Sequence, residues 1–113
     1  MQSNTQKNNL QNQYDVIVLG AGAAGLMAAI TAASRNRSVL VVEKSNKIGK
    51  KILMSGGGKC NFTNTSIEFD NFISQNPHFC KSALSRYTAF NFIKLVEKHK
   101  IEYEERKDHQ LFC

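Results

Sequence analysis

The feature that most constrains this chain is a glycine turn set between two apolar runs. Asp15-Val16-Ile17-Val18-Leu19 is a short, largely β-branched stretch that ends at Gly20-Ala21-Gly22-Ala23-Ala24-Gly25. An alanine-rich segment from Leu26 to Arg35 follows, with the composition of a helix. Asn36 stands where that helix must end, and after glycine asparagine best tolerates a left-handed turn. Val39-Leu40-Val41-Val42 is a second apolar run, closed by Glu43. Strand, turn, helix and strand within roughly 30 residues predict a βαβ unit with parallel strands and a right-handed crossover. Neither run alternates with polar residues, so both strands are expected to be buried on both faces.

Each glycine of the turn has a distinct expected task. Gly20 permits the tight exit from the strand, Gly22 leaves room for a pyrophosphate, and Gly25 allows helix and strand to pack closely. The helix N-terminus then offers free N–H groups to the phosphates. Glu43 lies 18 residues past Gly25, at the end of the second strand. A carboxylate there can accept hydrogen bonds from both ribose hydroxyls of an adenosine. It also repels a 2′-phosphate, which argues against NADP, although Lys44 softens that point. The ligand implied is an adenine dinucleotide.

Composition bounds the rest. With 113 residues the chain is one small domain at most. No run approaches the roughly 20 apolar residues of a membrane span. Residues 1–13, rich in Gln, Asn and Ser, read as a disordered leader, and they contain no apolar segment of the secretory kind. Together with three cysteines, which cannot all pair with one another, this points to a reducing cytoplasm. The net charge of +6 permits nucleic acid, an anionic membrane or a phosphate-bearing ligand. Lys44, Lys47, Lys50, Lys51 and Lys59 cluster beside a glycine loop, with no nucleic-acid motif and no basic stripe interleaved with aromatics. The expectation is therefore a small-molecule substrate and a phosphate-bearing cofactor, with no nucleic-acid or membrane partner.

The loop itself is the most specific stretch: Gly49-Lys50-Lys51-Ile52-Leu53-Met54-Ser55-Gly56-Gly57-Gly58-Lys59-Cys60-Asn61-Phe62-Thr63-Asn64. Three successive glycines let backbone approach a large flat or charged group. Beyond it, Pro77 predicts a helix start, with the helix running to Tyr87. Thr88 predicts the cap of a further helix to about His99, Ile101–Glu104 a half-exposed strand, and Leu111–Cys113 the opening of a returning strand. Cys60 sits in the glycine loop, and the next cysteine is Cys80, 20 residues on, so no short-loop disulfide redox motif exists. Cys60 is accordingly expected to pack as a small residue. His78, Cys80, His109 and Cys113 do not match zinc spacings, and no metal site is expected. No residue reads as a substrate ligand or proton donor.

DVIVLGAGAAGLMAAITAA, VVEK, GKKILMSGGGKCNFTN and NPHF…LVEKHKIEYEE…QLFC together make Tyr14–Cys113 resemble the N-terminal part of a bacterial family, the aminoacetone oxidase-like or BaiN-like FAD-dependent oxidoreductases. The resemblance implies an α/β Rossmann-type FAD-binding βαβ unit, then the glycine-rich loop and two helices, in an incomplete domain over residues 14–113. It implies FAD held at its pyrophosphate by Gly20, Gly22, Ala23, Ala24 and Gly25. Glu43 would take the adenosine ribose, with Lys44 and Lys51 nearby. Ser55, Gly56, Gly57, Gly58, Cys60 and Asn61 would approach the phosphates and the flavin. An NAD(P)H electron donor would act through the family's remaining chain. Two departures stand out: Asn36 and Lys100 occupy places where the family often has glycine. A non-catalytic nucleotide-binding remnant is the alternative reading of the same residues.

Overall fold

The computed structural model describes residues 13–113, so the expected leader lies almost wholly outside the described residues. The chain divides into two compact units, one through Ile52 and the other from Leu53.

The first unit is the expected βαβ. β1 (Val16–Leu19) leads through the glycine turn to α1 (Ala23–Ala33) and on to β2 (Val39–Val42). β1 and β2 pair in parallel, from Val16 opposite Val39 to Leu19 opposite Val42. Asp15 fixes the entry of the pair. Its carboxylate accepts from the Ser38 N–H at 2.8 Å and the Ser38 hydroxyl at 3.0 Å. Those bonds hold the Asp15 carboxyl below its ordinary pKa. At the far end of α1, Asn36 takes φ 57°, and the Arg37 N–H closes onto the Ala32 carbonyl at 3.3 Å. This six-to-one bond is the left-handed ending that the asparagine predicts.

Burial of both strand faces is not what is found. α1 packs on β1 and β2, but Ile17 and Leu19 are 59% and 81% exposed. Only one face of the pair is covered by the described residues of this unit. The apolar runs report strands built to be covered twice, and one layer supplies one cover.

α2 (Lys50–Met54) spans the boundary between the units and is followed at once by a tight turn over Ser55–Gly58, whose glycines are left-handed. The second unit carries an antiparallel sheet in the order β3 (Asn61–Asn64), β5 (Gln110–Phe112), β4 (Glu104–Glu105). Its helices are α3 (Lys81–Arg86) and α4 (Ala89–Lys98). Thr88 caps α4 as expected: its hydroxyl accepts from the Asn91 N–H at 3.3 Å, while Asn91 Oδ1 accepts from the Thr88 N–H at 2.9 Å. Val96, Leu111 and Phe112 form the buried core of this unit. Beside it, Phe62 meets Phe92 and Tyr103 edge-on, at 5.5 and 5.6 Å between ring centres.

Three sequence expectations shift here. Pro77 opens a pair of tight turns rather than a helix. Asn76 Oδ1 accepts from the His78 N–H, and the Phe79 and Lys81 N–H groups reach back three residues, so α3 begins only at Lys81. The strand expected over Ile101–Glu104 shrinks to Glu104–Glu105. Lys100 turns left-handed at φ 55°, and the Ile101 N–H remains bonded to Val96 at the end of α4. Finally, β3 arises inside the segment expected to be loop. Asparagine is a poor strand former, and the partner strand lies far along the chain.

Candidate functional site

In the first unit the glycine turn separates three physical demands. Gly20 has φ 97°, a conformation in which a side chain is strained. A Cβ built on Gly22 would meet nothing within 4 Å. A Cβ on Gly25 would overlap the Gly20 carbonyl oxygen outright and lie 3.2 Å from the Val18 side chain. Gly25 is thus the packing glycine, while Gly22 faces open space. α1 has Gly22 as its N-cap, with no side-chain cap and no acid in its first turn. The N–H groups of Ala23, Ala24 and Gly25 begin the helix, where neither a side chain nor a negative charge competes for them.

Between them lies Ala21, only 1% exposed. Its N–H donates to Glu43 Oε2 at 2.8 Å, and its carbonyl accepts from the Gly49 N–H at 2.7 Å. Glu43 Oε1 accepts from the Ser45 N–H at 2.8 Å. These backbone donors, Ser45 first, hold the Glu43 carboxyl below its ordinary pKa. The Ser45 hydroxyl and the Lys44 N–H also favour its ionised form, and the half-buried carboxylate still lines the cleft, where a ribose hydroxyl can donate to it. Leu19, Gly20, Val42, Glu43 and Lys44 line an open cleft of about 460 Å³ at the carboxyl ends of the two parallel strands. Ligands of α/β sheets bind outside those ends. Open space at Gly22, an uncapped helix start and an ionised acid at the strand end fit an adenine dinucleotide.

Gly20, Gly22, Ala23, Ala24, Gly25, Glu43 and Lys44 therefore share one region. Lys51 sits on α2, exposed like Lys44. Ser45 is not among the residues that the sequence singles out, whereas Gly49 opens the glycine-rich loop motif and its φ of 62° uses the freedom of a glycine.

In the second unit Gly56, Gly57 and Gly58 all have positive φ, at 60°, 70° and 97°. They differ in surroundings. A Cβ on Gly56 would stand 2.7 Å from the Phe112 ring, whereas Gly57 and Gly58 face open space. Asn61 opens β3; its side-chain amide, in the orientation that satisfies its neighbours, donates to the carbonyls of Leu111 at 3.1 Å and Thr63 at 3.2 Å. Lys59 pairs with Glu104 at 3.5 Å. Cys60 is half-buried, just before β3. Among the described residues no cluster of His, Cys, Asp and Glu is placed to hold a metal ion, and no helix is long and apolar enough to cross a membrane.

The HI0933-like protein Rossmann domain matches residues 14–113. The chain belongs to this FAD-binding family. Among curated relatives, it is 52% identical over 101 residues to the ribosomal RNA dihydrouridine synthase of Escherichia coli, covering 89% of this chain and 25% of that protein. It is 55% identical over 103 residues to the protein of the same name from Haemophilus influenzae, covering 90% of the chain and 26% of that protein. It is 36% identical over 72 residues to the 3-dehydro-bile acid delta(4,6)-reductase of Clostridium scindens, covering 62% of the chain and 18% of that protein. The chain thus spans about a quarter of the length of the first two of these relatives. The resemblance to BaiN-like flavoproteins holds, and so does the Rossmann-type α/β fold. The expectation that nucleic acid plays no part does not carry forward, because two of these relatives bear ribosomal RNA in their names.

Proposed function

We propose that residues 14–113 form the FAD-binding segment of a larger flavin-dependent oxidoreductase. The observation that carries this reading is the divided glycine turn, with Gly22 open beside the Glu43 carboxylate. Gly20, Gly22, Ala23, Ala24 and Gly25 hold the pyrophosphate through backbone N–H groups. Glu43 accepts from the adenosine ribose and at the same time keeps the turn in place through Ala21. Lys44 and Lys51 add positive charge for the phosphates. Ser55, Gly56, Gly57, Gly58, Cys60 and Asn61 serve the phosphates and the flavin. Of these, Gly57 and Gly58 offer backbone unobstructed by side chains, and Gly56 fixes the run against Phe112. The flavin, when bound, supplies reversible two-electron transfer. NAD(P)H is its electron donor, acting on the larger protein in the cytoplasm.

The substrate we propose is a uridine in ribosomal RNA, reduced to dihydrouridine. Two relatives of that name match nine-tenths of the chain at more than half identity. Denaturing the full-length protein and identifying the released chromophore tests the cofactor: FAD is expected, and a colourless protein that binds NADP tightly would overturn it. Mass spectrometry of ribosomal RNA from cells with and without the gene tests the substrate. Unchanged dihydrouridine in a strain lacking a proven flavoprotein would overturn the RNA reading alone.

A further inference from the structure

Two of the three cysteines meet across strands. Cys60 and Cys113 stand opposite each other, one register step beyond the Asn61–Phe112 pair of β3 and β5. The Cys60 N–H donates to the Cys113 carbonyl and the Cys113 N–H to the Cys60 carbonyl, both at 2.9 Å. A doubly bonded antiparallel pair holds its Cα atoms about 5.5 Å apart. Disulfides bridge Cα separations of roughly 4.4–6.8 Å. Directly opposed residues also project their side chains from the same face of the sheet. Burial first, and the neighbouring Cys60 second, push the Cys113 thiol above its ordinary pKa. Cys80 is placed elsewhere, its sulfur 3.9 Å from the Phe69 carbonyl.

We infer that Cys60 and Cys113 form a switchable dithiol, which closes to a cross-strand disulfide by exchange with a low-molecular-weight disulfide. One cysteine thiolate attacks a sulfur of RSSR, a mixed disulfide forms and RS⁻ leaves. The second cysteine, as thiolate, attacks the protein sulfur of that mixed disulfide and expels the second RS⁻. The protein gives up two electrons and two protons, and RSSR becomes two RSH. Sequence spacing hides the pair: the partner of Cys60 is not the next cysteine but the one that the antiparallel register brings opposite.

The geometry favours switching over a permanent staple. A hydrogen-bonded pair sits at the wide end of the cross-strand Cβ range of about 4.5–5.5 Å. A relaxed disulfide wants roughly 3.5–4.5 Å. Closure must therefore draw the two strands together locally, and strained disulfides are the readily reduced ones. The strain falls on a sensitive place. Cys60 follows Gly56–Lys59 in sequence, and Cys113 follows Phe112, the ring on which Gly56 rests. Oxidation thus grips the glycine run from both sides.

The test is a redox titration of the full-length protein in buffers of reduced and oxidised glutathione. Free thiols are trapped with N-ethylmaleimide and linked peptides are mapped. Trypsin leaves Cys60 and Cys80 on one peptide, so chymotrypsin, which cuts at Phe69, is added. The expected result is a Cys60–Cys113 link that forms in oxidised buffer and reopens in reduced buffer, while Cys80 stays alkylated. Cys60→Ser and Cys113→Ser should abolish the link, and Cys80→Ser should leave it intact. The wild-type map decides the matter even where a variant does not fold. A persistent absence of the link, a link through Cys80 instead, or a link that no buffer reopens would each overturn the proposal.

Discussion

The two glycine clusters use the same residue for the same pair of purposes, one set in a parallel unit and the other in an antiparallel one. In each, one glycine is demanded by packing and others face open space. Gly25 yields to the Gly20 carbonyl, and Gly56 yields to the Phe112 ring. Gly22, Gly57 and Gly58 have nothing near them. The obstacles differ in kind. A backbone carbonyl at the strand end has nowhere to go, whereas an aromatic ring can tilt. The lesson is that a glycine motif mixes architecture with binding, and substitution can separate the two.

The largest effect is expected at Gly25. Gly25→Ala forces the α1 start off β1 and should destabilise the protein by about 3 kcal/mol, the upper end of what overpacking usually costs. Calorimetry of the full-length protein checks this, and a loss under about 1 kcal/mol would break the assignment. Gly56→Ala comes next. It combines a left-handed backbone with pressure on Phe112 and should cost about 2–3 kcal/mol. Gly57→Ala carries the backbone term alone, about 1–2 kcal/mol. Equal losses at Gly56 and Gly57 in chemical denaturation would erase the distinction drawn between them. Gly22→Ala, whose backbone is already extended at φ −84°, should leave stability within about 0.5 kcal/mol. Its expected loss is in FAD affinity, read by titrating apo-protein.

Glu43 sharpens the comparison from the side of the first cluster, whose turn it holds through Ala21. Glu43→Gln should weaken FAD binding roughly tenfold, the worth of one charge-assisted hydrogen bond. Its pH dependence has a definite sign. The folded carboxyl titrates below its unfolded value, so its contribution is complete above the usual carboxylate range and fades as pH falls through the lowered folded value. The variant should lose that part of the acid limb, and an unchanged acid limb would show that Glu43 does not hold the turn. At the helix ends a small gain is expected instead of a loss. Asn36 and Lys100 adopt nearly the same left-handed angle, 57° and 55°. Lysine is the worse occupant, so Lys100→Gly should gain about 0.5–1 kcal/mol, and Asn36→Gly should gain less in the same thermal melt.

The first unit was legible in the sequence because its signals are local. Val16–Leu19, the glycine turn, the alanine helix, Asn36 and Val39–Val42 follow one another in chain order within about 30 residues and make up one βαβ unit. The second unit was not, because its pairings are remote. Asn61–Asn64 set two strand formers, Phe62 and Thr63, between two poor ones, and become a strand by meeting Gln110–Phe112. The same remoteness hid Cys113 from Cys60. Within the candidate site, Glu43 was found by its spacing from Gly25, but its bond to Ala21 was not, since a backbone N–H has no sequence signature. The strand runs were correctly placed and overread in burial: Ile17 and Leu19 show that an apolar run records a preference for cover and not how much cover this stretch of chain supplies.

The Ala21 peptide has a further consequence in the time domain. Its amide is shielded from water, yet it is bonded to a side chain rather than to a strand or helix ladder. Hydrogen exchange at such a position proceeds through local opening. Here opening means parting one carboxylate from one N–H, with β1, β2 and α1 left intact. Deuterium uptake at Ala21 is therefore a single-residue clock for the loosening of the turn, separable from global unfolding. Acid should quicken that clock relative to its strand neighbours, and a ligand seated against Glu43 should slow it.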